Sequence, residues 1–133
     1  MKQKTFYAFV LSMLITTLAW GQKVGNDADS HGCRASAGNT YSHILDHCIR
    51  SWEQKIKLSG IGAGNEGFIA AVIFSKDKKK AEVFLKDYKE GTVLSRKGKT
   101  TKYVLASERL ELTVSKGYSL KKDGKLIYSA DGL

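Results

Sequence analysis

The residues here whose types and spacing point to chemistry are two cysteines, three histidines, a few close acid pairs and a lysine-glycine pair late in the chain. Cys33 and Cys48 are the only cysteines. In an oxidising compartment their expected chemistry is an intramolecular disulfide, which closes a short loop and adds about 3 kcal/mol if unstrained. The sharper rival is a metal site. His43 and His47 are four residues apart beside Cys48, and His31 is close to Cys33. On a helix, however, Cys48 falls on the buried stripe while His43 and His47 face away from it, so one ion cannot use all of them, and no metal is assigned. Asp27 and Asp29 resemble the opening of a calcium loop, but Ser30 and His31 follow and no glutamate closes it. Glu108 and Glu111 fit the solvent face of a strand better than an acid-base pair. With no free nucleophilic cysteine, zinc helix or nucleophile elbow, the chain reads as a non-catalytic protein that needs no cofactor and acts by binding.

The elements that must position these residues begin with an address. Lys2 and Lys4 precede an apolar run from Phe6 to Leu18, and Ala19-Trp20-Gly21 supplies a small-x-small cleavage site. This is the pattern of a secretory signal peptide over 1–21, too short to span a bilayer well. Its removal takes the formal charge from +9 to +7 and implies a soluble exported protein, periplasmic or secreted. Such a basic chain suits an acidic protein surface, an anionic glycan or a lipid face, and export disfavours nucleic acid. Residues 22–39 read as a flexible polar arm, and 40–133 as a single β domain opening on a helix.

That helix is expected over 41–53. Tyr41, Ile44, Leu45, Cys48, Ile49 and Trp52 fall on one helical stripe, and Thr40 or Ser42 can cap its start. Short strands follow at Lys55–Leu58, Phe68–Phe74, Ala81–Leu85, Thr92–Ser95, Thr100–Ala106, Leu110–Val114, Tyr118–Leu120 and Leu126–Tyr128. Apolar-polar alternation and glycine- and lysine-bearing turns predict a mostly β fold, a small antiparallel barrel or sandwich of about seven or eight strands. Asp123-Gly124 marks a tight hairpin, and the glycine-rich 60–67 stretch a mobile hairpin connection rather than a phosphate cradle. The expected inward positions are Val83, Leu85, Val104, Leu110, Leu112, Val114, Leu120 and Leu126.

From Ala81 to Tyr128 the sequence resembles the MliC-like family, exported bacterial inhibitors of c-type lysozyme. The resemblance rests on AEVFL at 81–85, Leu94, Lys102-Tyr103, the LELTVSKG strand ending in Lys116-Gly117, and DGKLIY at 123–128. It implies a small antiparallel barrel whose loops plug a lysozyme cleft. Lys116 would reach the catalytic carboxylates there, with Gly117, Thr100, Thr101, Lys102 and Tyr103 lining the contact. Where the family carries a Ser-Ala-Ser-Gly stretch, this chain has Gly98-Lys99-Thr100-Thr101, so Thr100 or Thr101 would supply the hydroxyl. The alternative is an envelope-associated module that binds anionic glycan or lipid through Lys76–Lys80, Arg96, Lys97, Lys99, Lys102, Lys121 and Lys122.

Overall fold

The computed structural model describes residues 27–131. The expected signal peptide at 1–21 and the first residues of the arm, 22–26, lie outside the described residues. Ten strands run in order: β1 (Asn39–Ser42), β2 (His47–Arg50), β3 (Ile56–Gly60), β4 (Ile69–Phe74), β5 (Lys80–Phe84), β6 (Thr92–Arg96), β7 (Lys102–Leu105), β8 (Leu110–Val114), β9 (Gly117–Lys122) and β10 (Lys125–Asp131). β3 to β10 form a closed antiparallel barrel in which each strand pairs with its sequence neighbour. All eight expected strands are present. Closure comes from β10 meeting β3, Tyr128 opposite Gly60 and Ser129 opposite Ser59. It makes this sheet a barrel rather than half of a sandwich and leaves it no open edge.

The interior is filled by a ring to which each of the eight barrel strands contributes: Leu58, Val72, Val83, Leu94, Tyr103, Leu112, Leu120 and Tyr128 are all buried. This follows from the period-two alternation, which sends every second side chain inward. Val83, Leu85, Leu110, Leu112 and Leu120 lie in the core as expected, and Val114 packs against it. Val104 does not, because it lies opposite Ser95 and Glu111 on the outer face. Leu126 is displaced by a bulge: it pairs with Lys121 while Tyr128 pairs with Leu120, so an extra residue slips the alternation by one.

The expected helix at 41–53 is absent. β1 and β2 form a two-stranded hairpin with Tyr41 opposite Cys48 and Ser42 opposite His47, followed by one 3-10 turn over Ser51–Glu53. The turn at 43–46 ends on Asp46 in the left-handed conformation, φ 56°, which breaks any continuous helix. Its first N–H groups are held from the barrel. Glu82, fully buried on β5, accepts hydrogen bonds from His43 N (2.7 Å), Ile44 N (3.2 Å) and the Ser42 hydroxyl (2.6 Å). The amphipathic spacing of the stripe is compatible with both structures, and Glu82 together with a second apolar cluster selects the hairpin. In that cluster Ile49 covers Ala71 and Phe84 on the outside of β4 and β5.

Cys33 and Cys48 are bonded, Cα to Cα 5.6 Å, which ties residues 27–34 to β2. The disulfide is consistent with an oxidising, exported location. From residue 27 the expected flexible arm is instead a folded loop. The Asp29 carboxylate accepts from His31 N and Cys33 N, both 2.9 Å, Asp27 accepts from Ser36 N at 2.6 Å, and Ala28 bridges Arg34. Among the described residues no helix is long and apolar enough to cross a membrane.

Candidate functional site

Up-and-down connectivity sorts the barrel's loops between two ends. The β4–β5, β6–β7 and β8–β9 loops share one end, and the β3–β4, β5–β6, β7–β8 and β9–β10 loops share the other. Lys116 sits at the tip of the β8–β9 turn, exposed and left-handed at φ 52°, between Ser115 N and the Gly117 carbonyl it bonds at 3.0 Å. Val114 N donates to the Thr101 carbonyl (2.9 Å), which sets the β6–β7 loop directly beside this turn. Arg96 N donates to the Lys79 carbonyl (2.8 Å) and brings the β4–β5 loop alongside as well. The three loops therefore form one continuous surface.

Each loop is fixed from within. In β4–β5 the Asp77 carboxylate accepts from the Ser75 hydroxyl (2.7 Å) and from Lys79 N (3.0 Å). These two bonds, the hydroxyl's the larger, hold its carboxyl below the usual range. In β6–β7 the Arg96 guanidinium donates to the Thr100 carbonyl (3.0 Å), and the Thr100 hydroxyl donates to the Lys97 carbonyl. Beneath the loops Phe74 packs on Tyr103 and Tyr118, with ring centroids 5.3 and 6.3 Å apart, and Lys78 Nζ lies 5.2 Å over Phe74.

The structure distributes the expected contact residues unequally. Lys116 and Thr101 are exposed side by side, and the Thr101 hydroxyl makes no side-chain hydrogen bond among the described residues, whereas the Thr100 hydroxyl is occupied within its own turn. Lys102 is exposed at the same end, 3.5 Å from Glu111 across the strand. Gly117 opens β9 behind the turn. Tyr103 is placed in the core, with its hydroxyl donating to the Lys78 carbonyl at 2.8 Å, so it braces the β4–β5 loop instead of facing outward.

The expected lysine face divides between the two ends. Lys76 to Lys80, Arg96, Lys97, Lys99 and Lys102 lie with Lys116, so that end is strongly basic, and Asp77 is already engaged by its own turn. Lys121 and Lys122 are remote from it. Lys122 Nζ donates to the Tyr88 hydroxyl (3.0 Å), which in turn donates to Glu108 (3.0 Å), closing the opposite mouth of the barrel.

The histidines separate in a way the sequence did not suggest. His47 bonds locally to the Cys48 carbonyl (3.0 Å), while His31 and His43 both point at Glu90 Oε2, at 3.5 and 2.9 Å. His31 also stacks on Tyr41, centroids 3.6 Å apart. This cluster clamps the 27–34 loop to the β5–β6 loop, and no group of three or more ligand side chains among the described residues is arranged to hold a metal ion. Glu82 escaped sequence reasoning because an acid within an alternating strand reads as solvent-facing. The near-continuous apolar run Ile69–Phe74 beside it was the available sign that this part of the sheet is covered on both faces. Comparison with protein-family models, curated proteins and solved structures returned no match.

Proposed function

We propose that this chain is an exported, non-catalytic binding protein that inhibits a lysozyme-like glycosidase by placing the Lys116 turn in its cleft. The observation that supports the reading is the display of Lys116, an exposed cation at the tip of a tight turn held in a left-handed conformation. A glycosidase cleft of this kind is built on two carboxyl groups. A lysine ammonium offers three donors and a positive charge to such a pair, an interaction worth a few kcal/mol when both partners are desolvated. Thr101 and Lys102 flank the turn and supply a hydroxyl and a second cation at the rim. Neither covalent chemistry nor a cofactor is required.

The test is lysis of a peptidoglycan suspension by a c-type lysozyme, with folded, oxidised protein of residues 22–133 and its Lys116→Ala variant. Inhibition by the parent that falls about tenfold or more in the variant supports the reading, since one lost charge-assisted contact is worth that much. No inhibition at micromolar concentration sinks it.

A second reading is favoured by the concentration of lysines at the same end. It is an envelope-associated module holding anionic glycan or lipid through Lys76–Lys80, Arg96, Lys97, Lys99 and Lys102. Salt distinguishes the two, because attraction between exposed charges is lost as screening shortens its range, whereas a desolvated contact in a cleft keeps most of its strength.

A further inference from the structure

We infer that the cleft between the β1–β2 hairpin and the barrel end opposite Lys116 binds a glycan, whose sugar rings stack on Trp52 and Phe68. The cleft has a volume of about 540 Å³, within the range of small-ligand sites. Four large apolar side chains are exposed among the described residues, and three of them, Trp52, Phe68 and Ile69, line this cleft. Scattered apolar residues are ordinary on a surface, but three gathered in one concavity are not.

Both aromatic rings are about half exposed. The Trp52 indole rests against Gly38, whose lack of a side chain leaves the room: a Cβ there would lie 1.9 Å from the ring. Phe68 carries the Lys86 ammonium 4.9 Å from its centroid, and that ammonium is paired with Asp87 at 3.2 Å. The Trp52 ring, seated on the Gly38 backbone, is a platform that loses little entropy when a ligand arrives.

The polar lining decides what stacks there. The side chains of Asn39, Thr40, Ser51 and Lys89 border the cleft and make no side-chain hydrogen bond among the described residues. An apolar helix laid across it would bury these groups without partners, at about 1–3 kcal/mol each. A polyanion would find one uncompensated cation, Lys89, since Lys86 is already paired with Asp87. A pyranose meets both demands: its C–H face covers an aromatic ring and its hydroxyls satisfy amides, hydroxyls and an ammonium around the rim. This site does not depend on the lysozyme reading, because Lys116 is at the other end of the barrel.

The test uses residues 22–133, which contain every described residue and in which Trp52 is the only tryptophan. Chitotriose and cellotriose are titrated against Trp52 fluorescence, and the contacts are mapped by amide chemical shifts. The expected result is a saturable change for at least one trisaccharide, with shifts at residues 38–40, 51–52 and 67–69. Phe68→Ala and Asn39→Ala should each weaken binding about tenfold, and Lys116→Ala should leave it unchanged. Circular dichroism checks that the variants fold. No saturable response to either sugar overturns the inference, as do shifts centred on the Lys116 end. Self-association that disappears in Trp52→Ala would overturn it in favour of a second copy of the chain.

Discussion

The Ser42 hydroxyl donates to the Glu82 carboxylate at 2.6 Å, a buried bond between residues 40 apart in sequence that joins the N-terminal hairpin to the barrel wall. The same carboxylate takes the first two N–H groups of the 43–46 turn, and Gly91 leaves room for it, since a Cβ there would lie 2.1 Å from Oε1. Removing one member of such an arrangement leaves the others buried and unpaired. Glu82→Ala should therefore destabilise the protein by about 3 kcal/mol in urea unfolding. Hydrogen exchange should rise first in β1, β2 and the 43–46 turn. A loss below about 0.5 kcal/mol would show that the hairpin is held instead by Ile49, the His43–Glu90 contact and the Gly91 N–H bond to the Tyr41 carbonyl.

The Tyr128 hydroxyl is buried in the barrel with no hydrogen-bond partner among the described residues, and burial, assisted by the Asp87 charge, raises its pKa. An unpaired buried hydroxyl costs stability, while its ring fills the core. Tyr128→Phe should then leave stability unchanged or raise it by about 1 kcal/mol, measured by thermal unfolding. A clear loss would mean that the hydroxyl has a partner inside the barrel.

Lys116 holds a left-handed backbone that glycine adopts without penalty. Lys116→Gly should stabilise the fold by about 1 kcal/mol and, on the proposed reading, abolish inhibition. Opposite signs in the two measurements would mark Lys116 as a residue kept for its contact at a cost to the fold. A variant that is less stable, or that inhibits as well as the parent, contradicts this.

Asp77 stabilises the β4–β5 turn as a carboxylate, and its folded pKa lies below the ordinary carboxylate value because the Ser75 hydroxyl and Lys79 N–H bond the charged form. A depressed folded pKa gives a contribution that is complete above the unfolded value and lost as pH falls through the lowered one. The turn should therefore loosen only on the acid side of the ordinary carboxylate range. A carboxyl-carbon NMR titration of Asp77 reads this directly. A midpoint at or above the ordinary value would contradict it, and Asp77→Asn should remove the acid-side dependence.

Alternation along 81–128 was enough to locate the strands, because a side chain's face in a strand depends on its own position parity. Asp123 and Gly124 adopt φ 52° and 76°, as a tight hairpin turn demands, so this turn was readable too. Misread positions were those set by distant partners. The 41–53 stripe fits a helix by spacing, yet its polar groups answer to Glu82 and its apolar ones to Ala71 and Phe84. Leu126 moved because of a bulge that leaves no mark in composition.

The candidate site shows the same division. Lys116-Gly117 could be placed at a strand end from the sequence, and so could the pairing of two lone cysteines. That Tyr103 turns inward and that Trp52 and Phe68 line one cleft were not readable, since each depends on segments far apart in the chain; the Thr100 hydroxyl is taken by the Lys97 carbonyl of its own turn, a local choice that composition does not mark.

The sequence by itself determined the strands, the tight hairpin and the cysteine pair, because parity, turn geometry and thiol chemistry are local. The tertiary structure alone decided the closure of the sheet, the hairpin in place of a helix, and which lysines share an end. Those depend on the free energy of burying a carboxylate, an aromatic ring or a sheet edge against partners the chain brings together only when it folds.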